Sequence, residues 1–284
     1  MKVTALIENT TPDQGLRCEH GLALCIVHRG WNCLLDAGAS AALLENAPKL
    51  GVDLTQVQAA VLSHGHYDHS GGFPAFLSCN TTAPVYLRPQ AAEANYQVRR
   101  DGERRYLGVP PALLAAKDRL RFVTGPTELH PGVWLLPHTT PGLEKQGEKV
   151  AMYRQGPDGL RPDDFAHEQT LVFLYGAEMA LFSSCSHAGA DTVVAEAMAA
   201  FPGKAVRAFF GGFHLMGAGG AGTLGVRPEK AQALGRRLLD LGVEEIWTGH
   251  CTGKPAFDFL TPILGSRLHY LATGAVVRLW EDGK

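Results

Sequence analysis

Four side chains that can bind a metal ion lie within six consecutive positions of this chain. They belong to the stretch LSHGHYDHSGG, residues 62–72, and are His64, His66, Asp68 and His69. The apolar run AAVL leads into this stretch and two glycines end it, which predicts a turn at the end of a short buried strand. A surface histidine cluster is the alternative, but ordinary surfaces do not assemble this spacing at a strand end. The chain is therefore expected to fold so that this turn can hold a metal.

The chemistry of these side chains suits zinc, iron or manganese, because each imidazole offers one lone pair and the carboxylate offers hard oxygens. His64 and His66 are two positions apart and can converge on one ion. Asp68 and His69 are then directed towards a second ion, which makes Asp68 a catalytic candidate as well as a ligand. Paired ions can bind and deprotonate one water molecule between them. We therefore expect one or two divalent ions, zinc first, and hydrolysis through a metal-bound hydroxide.

Composition narrows the class of protein. The 284 residues, 45% of them hydrophobic and 19% charged, are typical of a globular chain with a substantial core. A net charge of −2 indicates neither a nucleic-acid partner nor a membrane surface. The start turns polar at Glu8, before a signal-peptide core can form. Six cysteines without a CxxC pair are too sparse for a disulfide scaffold, so we expect a cytoplasmic protein. The expected partner is a small-molecule substrate. The oligomeric state stays open.

Strand and helix patterns alternate in two halves of the chain. The predicted strands are VTALIEN (3–9), LALCIVH (22–28), NCLLD (32–36), AAVLS (59–63), QTLVFLY, MALFSSC, VRAFFGG, EEIWTG and AVVRLW. The predicted helices are 40–51, 71–78, DTVVAEAMAAF and 227–242. This order favours an α+β fold with a sheet-on-sheet core and helices outside. Residues 138–168 show little strand or helix pattern and could form a flap.

The stretch SHGHYDHSGG resembles the H-x-H-x-D-H signature of the metallo-β-lactamase superfamily. LLDAG (34–38) is similar to the aspartate-bearing strand end that precedes the signature in that superfamily. Shorter motifs resemble one branch, the 7,8-dihydropterin-6-methyl-4-(β-D-ribofuranosyl)aminobenzene 5′-phosphate synthase-like proteins; they are EHG, DDFAHEQTLVF, CSHAG, GGFHL and GHCTG. The resemblance implies one four-layer αββα sandwich over residues 1–284, with the metal site on loops at the strand ends.

The resemblance also implies a ligand set. One metal would be held by His64, His66 and His187, and the other by Asp68, His69 and His250. For His187 and His250 the alternative is a capped loop histidine.

Common members of the superfamily have an aspartate that bridges both metals, but here the matching strand ends at His214. Imidazole bridges poorly, because its two nitrogens point in different directions. We therefore expect His214 to face the substrate or transfer a proton, as a catalytic residue, with ligation or a structural role as alternatives.

Further residues are candidates around the site. The stretch VRRDGERRYLG (98–108) carries Arg99, Arg100, Arg104 and Arg105 and could clamp a phosphorylated substrate, with Arg99 and Arg100 as the first candidates; the alternative is a solvated charged loop. Glu19 and Glu168 are expected near the substrate, where they could also orient metal-bound imidazoles, and His20 could do the same. For these three residues the alternative is a solvated turn charge. Three more residues have expected roles: Asp36 as a loop-fixing carboxylate, and Cys185 and Cys251 as neighbours of the metal histidines.

These features favour a metal-dependent hydrolase that acts on a small, phosphorylated or cyclic molecule. One alternative is the condensing enzyme of a pterin pathway that the branch name implies. The others are an iron-dependent redox enzyme on the same scaffold and a binding protein with an inactive site. Nothing in the residues separates hydrolysis from condensation.

Overall fold

The computed structural model describes residues 1–99, 101–156, 158–220 and 222–280. The chain divides into two compact units, and neither unit is a continuous stretch of sequence. The first comprises Met1–Thr124, Gly142–Glu168 and Ala272–Lys284, and the second comprises Gly125–Pro141 and Gln169–Leu271. The chain therefore passes between the two units four times. The predicted single domain over residues 1–284 stays a prediction.

The strands and helices of the described residues are as follows. The strands are β1 Lys2–Ile7, β2 Ala23–His28, β3 Trp31–Leu35, β4 Ala59–Val61, β5 Val85–Leu87, β6 Asn95–Val98, β7 Arg104–Tyr106, β8 Leu120–Phe122, β9 Thr127–His130, β10 Val133–Pro137, β11 Met152–Gly156, β12 Gly159–Pro162, β13 Gln169–Tyr175, β14 Glu178–Phe182, β15 Ala205–Phe210, β16 Glu245–Thr248, β17 Leu268–Tyr270 and β18 Val276–Arg278. The helices are α1 Ala42–Lys49, α2 Tyr67–Ser70, α3 Phe73–Cys79, α4 Pro111–Ala115, α5 Glu144–Lys149, α6 Ala190–Ala200, α7 Pro228–Asp240 and α8 Lys254–Leu264. A membrane-crossing helix, which must be both long and apolar, is absent from the part of the chain that the structure describes.

The large sheet of the first unit has the strand order β18-β1-β2-β3-β4-β5-β8. Its last four strands pair in parallel, so the chain must cross over the sheet between them. Helices α1, α3 and α4 form these crossovers, and their side chains, among them Leu43, Phe73 and Leu113, are buried in one core. Because β3 and β4 are parallel neighbours, the residues after both strands emerge at the same edge. That edge carries Asp36 after β3 and the histidine motif after β4.

The large sheet of the second unit has the order β17-β16-β15-β14-β13-β10-β9, and β14 to β17 pair in parallel. Helices α6, α7 and α8 form the crossovers and bury apolar side chains in a second core. His187, His214 and His250 follow β14, β15 and β16 in turn. The carboxyl ends of neighbouring parallel strands lie at one edge, so this topology delivers all three histidines to the same edge of the sheet.

A third sheet, of order β12-β11-β6-β7, belongs to the first unit and corrects two interpretations of the sequence. Residues 138–168 are not a structureless segment, since α5, β11 and β12 lie there. Residues 98–108 are not a loop, since β6 ends and β7 begins there as a hairpin. These strands are rich in Arg, Gln and Gly and are partly exposed, so they lack the apolar alternation that marks a half-buried strand.

The strands and helices named from the sequence are all present, with ends that shift by a few residues. The predicted α+β class, with two large sheets and accompanying helices, is confirmed. The sequence prediction also omitted β5, β8, β9, β10, β17, α2, α4 and α8, which are short or have apolar runs that favour neither a strand nor a helix.

Candidate metal centre

The buried carboxylate of Asp36 fixes the histidine motif from behind. It accepts hydrogen bonds from the Ser63 backbone N–H and from Ser63 Oγ, each at 2.7 Å. It also accepts one from His69 Nδ1 at 2.8 Å. Ser63 Oγ in turn lies 2.8 Å from His64 Nδ1. Asp36 is thus a loop-fixing carboxylate, as the sequence predicted, and its contacts reach two of the motif histidines.

This network selects the tautomer of both histidines. A carboxylate can only accept, so His69 Nδ1 carries a hydrogen and donates it to Asp36. Ser63 donates its one hydroxyl hydrogen to Asp36, so His64 Nδ1 must donate to Ser63 Oγ. The lone pair of each ring is therefore on Nε2. Two imidazoles are held in the orientation and tautomer that a metal ligand needs.

Asp68, in α2, lies between two histidine rings. Its Oδ2 is 3.6 Å from His69 Nε2 and 3.3 Å from His20 Nε2. His20 Nδ1 is 3.3 Å from the amide nitrogen of Asn9, which can only donate, so His20 Nε2 carries the hydrogen that Asp68 accepts. Asp68 and His69 thus present a carboxylate oxygen and a lone pair side by side, as two ligands of one ion would. His20 orients the carboxylate.

His66 lies against a second buried pair, His167 and Asp163. The His66 and His167 ring centroids are 5.2 Å apart, and His167 Nε2 is 2.8 Å from Asp163 Oδ2. Burial, with a smaller contribution from His167, lowers the pKa of His66 to about 3. The ring is therefore neutral at neutral pH, as a metal ligand must be. Burial opposes ionisation of Asp163, but the contacts with His167, with the Phe165 backbone N–H and with His66 together outweigh it and lower the pKa of that carboxyl.

Gly65 separates the first two motif histidines, and buried side chains hold both of its peptide groups. Its N–H donates to His167 Nδ1 at 3.1 Å, and its carbonyl accepts from Asn95 Nδ2 at 3.1 Å. A Cβ here would lie 3.0 Å from both Asn95 Nδ2 and Ala91 Cα, so the turn needs the close approach that glycine allows. The clamp fixes the path of the chain between the two histidines.

The second unit carries three more histidines at one sheet edge. The ring centroids of His187 and His214 are 4.3 Å apart, at an interplanar angle of 57°. His187 and His250 are buried, whereas His214 is half-buried. The His214 backbone N–H donates to Cys251 Sγ at 3.3 Å, and Cys251 Sγ lies 3.7 Å from the carbonyl oxygen of Cys185. Cys251 therefore links the loops that carry these histidines.

Of the two arginines predicted to clamp the substrate, the structure describes Arg99. Arg99 forms an ion pair with Glu103, and both side chains are exposed. Arg100 lies outside the described residues. The role of both arginines in substrate binding stays a prediction, and the ion pair already occupies part of the Arg99 guanidinium.

The two predicted glutamates differ in their surroundings. The Glu19 carboxylate accepts hydrogen bonds from Ala39 N–H, Ser40 N–H and Ser40 Oγ, at 2.9, 3.0 and 2.6 Å. Within the described residues these contacts fix the loop before α1, and Glu19 touches none of the motif histidines. Glu168 is buried, next to His167 in sequence. A substrate role for either glutamate stays a prediction.

Sequence reasoning missed several residues of this site, namely Asn95, Asp163 and the positioning role of His167. The motif DDFAHE contained a usable signal, because Asp163 and His167 are four positions apart and an acid at that distance can orient an imidazole. No sequence pattern around Asn95 indicated that its side chain would contact the motif.

The chain is similar to known proteins in both sequence and structure. Residues 17–152 match the family model described as the metallo-beta-lactamase superfamily. The 7,8-dihydropterin-6-methyl-4-(beta-D-ribofuranosyl)-aminobenzene-5'-phosphate synthase of Methanocaldococcus jannaschii is 24% identical over 247 residues, which are 83% of this chain and 80% of the relative. A solved structure of a metal-dependent hydrolase of the beta-lactamase superfamily is 25% identical, with a TM-score of 0.81 over 99% of this chain and 100% of the other. Zn²⁺-bound PqqB from Methylobacterium extorquens, 13% identical, has a TM-score of 0.60 over 98% of this chain and 100% of its own. These likenesses confirm the resemblance and the fold that the histidine signature predicted.

Proposed function

We propose that this chain, which has the metallo-β-lactamase fold and matches that superfamily's family model, is a metal-dependent hydrolase of a small, phosphorylated molecule. The observation that carries the proposal is the hydrogen-bond network of Asp36. It holds two imidazoles, His64 and His69, with Nδ1 as the donor and the lone pair of each ring on Nε2. Fully buried, oriented imidazoles beside a carboxylate are the donor set that zinc uses in proteins.

The ligand set of the proposal follows the sequence signature. One ion would be held by His64, His66 and His187, and a second by Asp68, His69 and His250. Two observations in the first unit support the fit of the residues to a metal. The lowered pKa of His66 keeps that ring neutral, and Asp68 Oδ2 lies beside His69 Nε2. A divalent ion, zinc in the first instance, would supply Lewis acidity and lower the pKa of water.

The chain's own residues would orient the reacting groups and move protons. Asp68, positioned by His20, would be ligand and catalytic carboxylate together. His214 is half-buried and in ring contact with His187, which supports a role at the substrate rather than in the core. A neutral imidazole there can give or take a proton near neutral pH as a leaving group departs.

The test combines elemental analysis with turnover of bis(p-nitrophenyl) phosphate by the full chain. We expect one or two zinc ions per chain. His64→Ala should lose the first ion and reduce turnover by about 100-fold or more. Asp68→Ala should lose only the second ion, and His214→Ala should keep the first ion but turn over more slowly. His130→Ala, in β9 and away from the histidine clusters in sequence, is the control. Full metal content in a double His64/His66 variant would refute the ligand assignment.

The synthase of Methanocaldococcus jannaschii favours a second candidate, a condensing enzyme whose product joins a pterin to a phosphorylated ribofuranosylaminobenzene. The same metal ligands would serve that reaction. Mass spectrometry for a coupled product, beside the phosphodiester assay, separates the two reactions. Retained metal with neither activity would instead favour a non-catalytic binding protein.

We also place the protein in the cytoplasm, with a small-molecule substrate and neither nucleic acid nor membrane as partner. The absence of disulfides among its six cysteines, all of which lie in the described residues, supports a reducing compartment. Fractionation of cells that express the chain would test this placement.

A further inference from the structure

The β6–β7 hairpin is tied to the metal motif through the backbone. Tyr67 lies inside the motif, and its N–H donates to the carbonyl of Leu107 at 2.7 Å, just after β7. The N–H of Leu107 donates to the carbonyl of Asn95, the first residue of β6 and the side chain that clamps Gly65. Residues of β7 are therefore fixed relative to Tyr67.

Arg105 is the β7 residue whose side chain reaches the motif. Its Nη2 donates to the Tyr67 hydroxyl at 2.7 Å, and its guanidinium carbon lies 5.6 Å from the centre of the Tyr67 ring. This combines a hydrogen bond with a cation–π contact, which holds a long, exposed side chain in one region. Only one of the five guanidinium N–H groups is needed for Tyr67, so others remain to donate to two oxygens of an anion.

The alternation of β7 separates Arg105 from its neighbours. Tyr106 packs edge-to-face on Tyr96, with ring centroids 5.6 Å apart, on one face of the hairpin. Successive strand residues point to opposite faces, so Arg104 and Arg105 differ in direction while sharing charge, exposure and strand.

Within the part of the chain that the structure describes, no acidic side chain neutralises the charge of Arg105. Among the described residues no carboxylate pairs with Arg105, whereas Arg99 in the same hairpin pairs with Glu103. A guanidinium that is held in place but lacks an acidic partner is suited to an anion from solution.

We propose that Arg105, positioned by Tyr67, binds the anionic phosphate group of the substrate at this site. The inference rests on the proposed function and names the residue that selects a phosphorylated substrate. Among the arginines of residues 98–108, it singles out the one whose side chain contacts the metal motif.

Inorganic phosphate binding, measured by calorimetry on the zinc-loaded full chain, tests the proposal. Arg105→Gln should weaken phosphate binding by about tenfold or more, because it removes a charge-assisted fork. Arg105→Lys should recover part of the affinity, since it keeps the charge but not the planar fork. Tyr67→Phe, which keeps the ring but removes the hydroxyl acceptor, should produce a smaller loss.

Arg104→Gln is the control, because it removes the same charge from the same strand and should stay within about twofold at physiological salt. Equal losses for Arg104→Gln and Arg105→Gln would reduce the effect to general surface charge and overturn the proposal. Unchanged binding by Arg105→Gln would overturn it as well.

A turnover comparison separates this proposal from the proposed function. Arg105→Gln should raise KM for bis(p-nitrophenyl) phosphate and leave that for the neutral ester p-nitrophenyl acetate unchanged. If the wild-type chain hydrolyses neither ester, the hydrolase assignment fails, while phosphate affinity still decides the role of Arg105.

Discussion

At the residue scale, backbone strain marks the candidate site. Among the described residues, eight non-glycine residues have a left-handed backbone, and four of them lie at or beside the proposed ligands, with φ between 48° and 57°; these four are Asp36, Ser186, His214 and His250. This region is sparsely populated by residues with a Cβ and costs free energy that the surrounding structure must offset. Such strain persists where a fold holds a side chain in one direction. In both units, these four residues follow the carboxyl ends of parallel strands.

Asp36 gives the residue-scale prediction. Asp36→Asn retains the shape of the side chain but replaces one carboxylate oxygen with an amide donor, so it cannot accept all three of the native hydrogen bonds from Ser63 and His69. We expect the affinity for zinc to fall by about 10- to 100-fold. Competition with a chromogenic chelator would measure this directly. Asp118→Asn, an exposed acid in the same unit, should bind zinc like the wild type, and an equal affinity in Asp36→Asn would contradict the positioning role.

The sequence predicted the ligand candidates better than the residues that position them. The motif histidines and Asp36 could be found because each follows an apolar strand at a short, recognisable spacing. The clamp on Gly65 could not, because its two side chains lie 30 and 102 residues away along the chain. In the sequence, Arg105 is one of several arginines in residues 98–108. Its position in the β7 register and its contact with Tyr67 distinguish it from the others, and both required the structure.

At the scale of elements, the large sheets were predictable and the small sheet was not. Buried parallel strands such as β4 appear as apolar runs, because both faces are covered. The strands of the small sheet are half-exposed or exposed, and polar residues dominate them. Some of these strands pair with partners that are distant in the sequence, as β6 does with β11. No local sequence pattern predicts such pairing.

A second element-scale feature joins the end of β10 to helix α6. Glu196 accepts hydrogen bonds from His138 Nδ1 at 2.7 Å and from the backbone N–H groups of Thr139 and Thr140 at 2.8 and 2.7 Å. Burial opposes ionisation of Glu196, but these contacts, His138 first, outweigh it and hold its pKa at about 2. The folded pKa is therefore below the ordinary value. The stabilisation is fully present above that ordinary value and is lost as pH falls towards the folded pKa.

Glu196→Gln should therefore destabilise the protein in a pH-dependent way. The side chain is partly accessible, so we expect a loss of about 1 kcal/mol at pH 7, or about 2–4 °C in Tm. The difference from wild type should shrink as the pH is lowered below about 4. Urea unfolding across this pH range measures it, with the exposed Glu229→Gln as control. A difference that stays constant with pH would show that the Glu196 charge is not responsible.

At the scale of the whole molecule, the sequence predicted one domain, and the structure divides the chain into two compact units. Because the first unit is built from three separate stretches and the second from two, no single cut releases either unit as one continuous chain. We therefore expect the two units to unfold together. Fluorescence and circular dichroism should report one coincident transition in urea. Trp31 belongs to the first unit, and Trp134 and Trp247 belong to the second, so single-tryptophan variants can follow each unit separately. Limited proteolysis should likewise yield no fragment that keeps cooperative unfolding, and two independently folded halves would contradict the single-domain prediction.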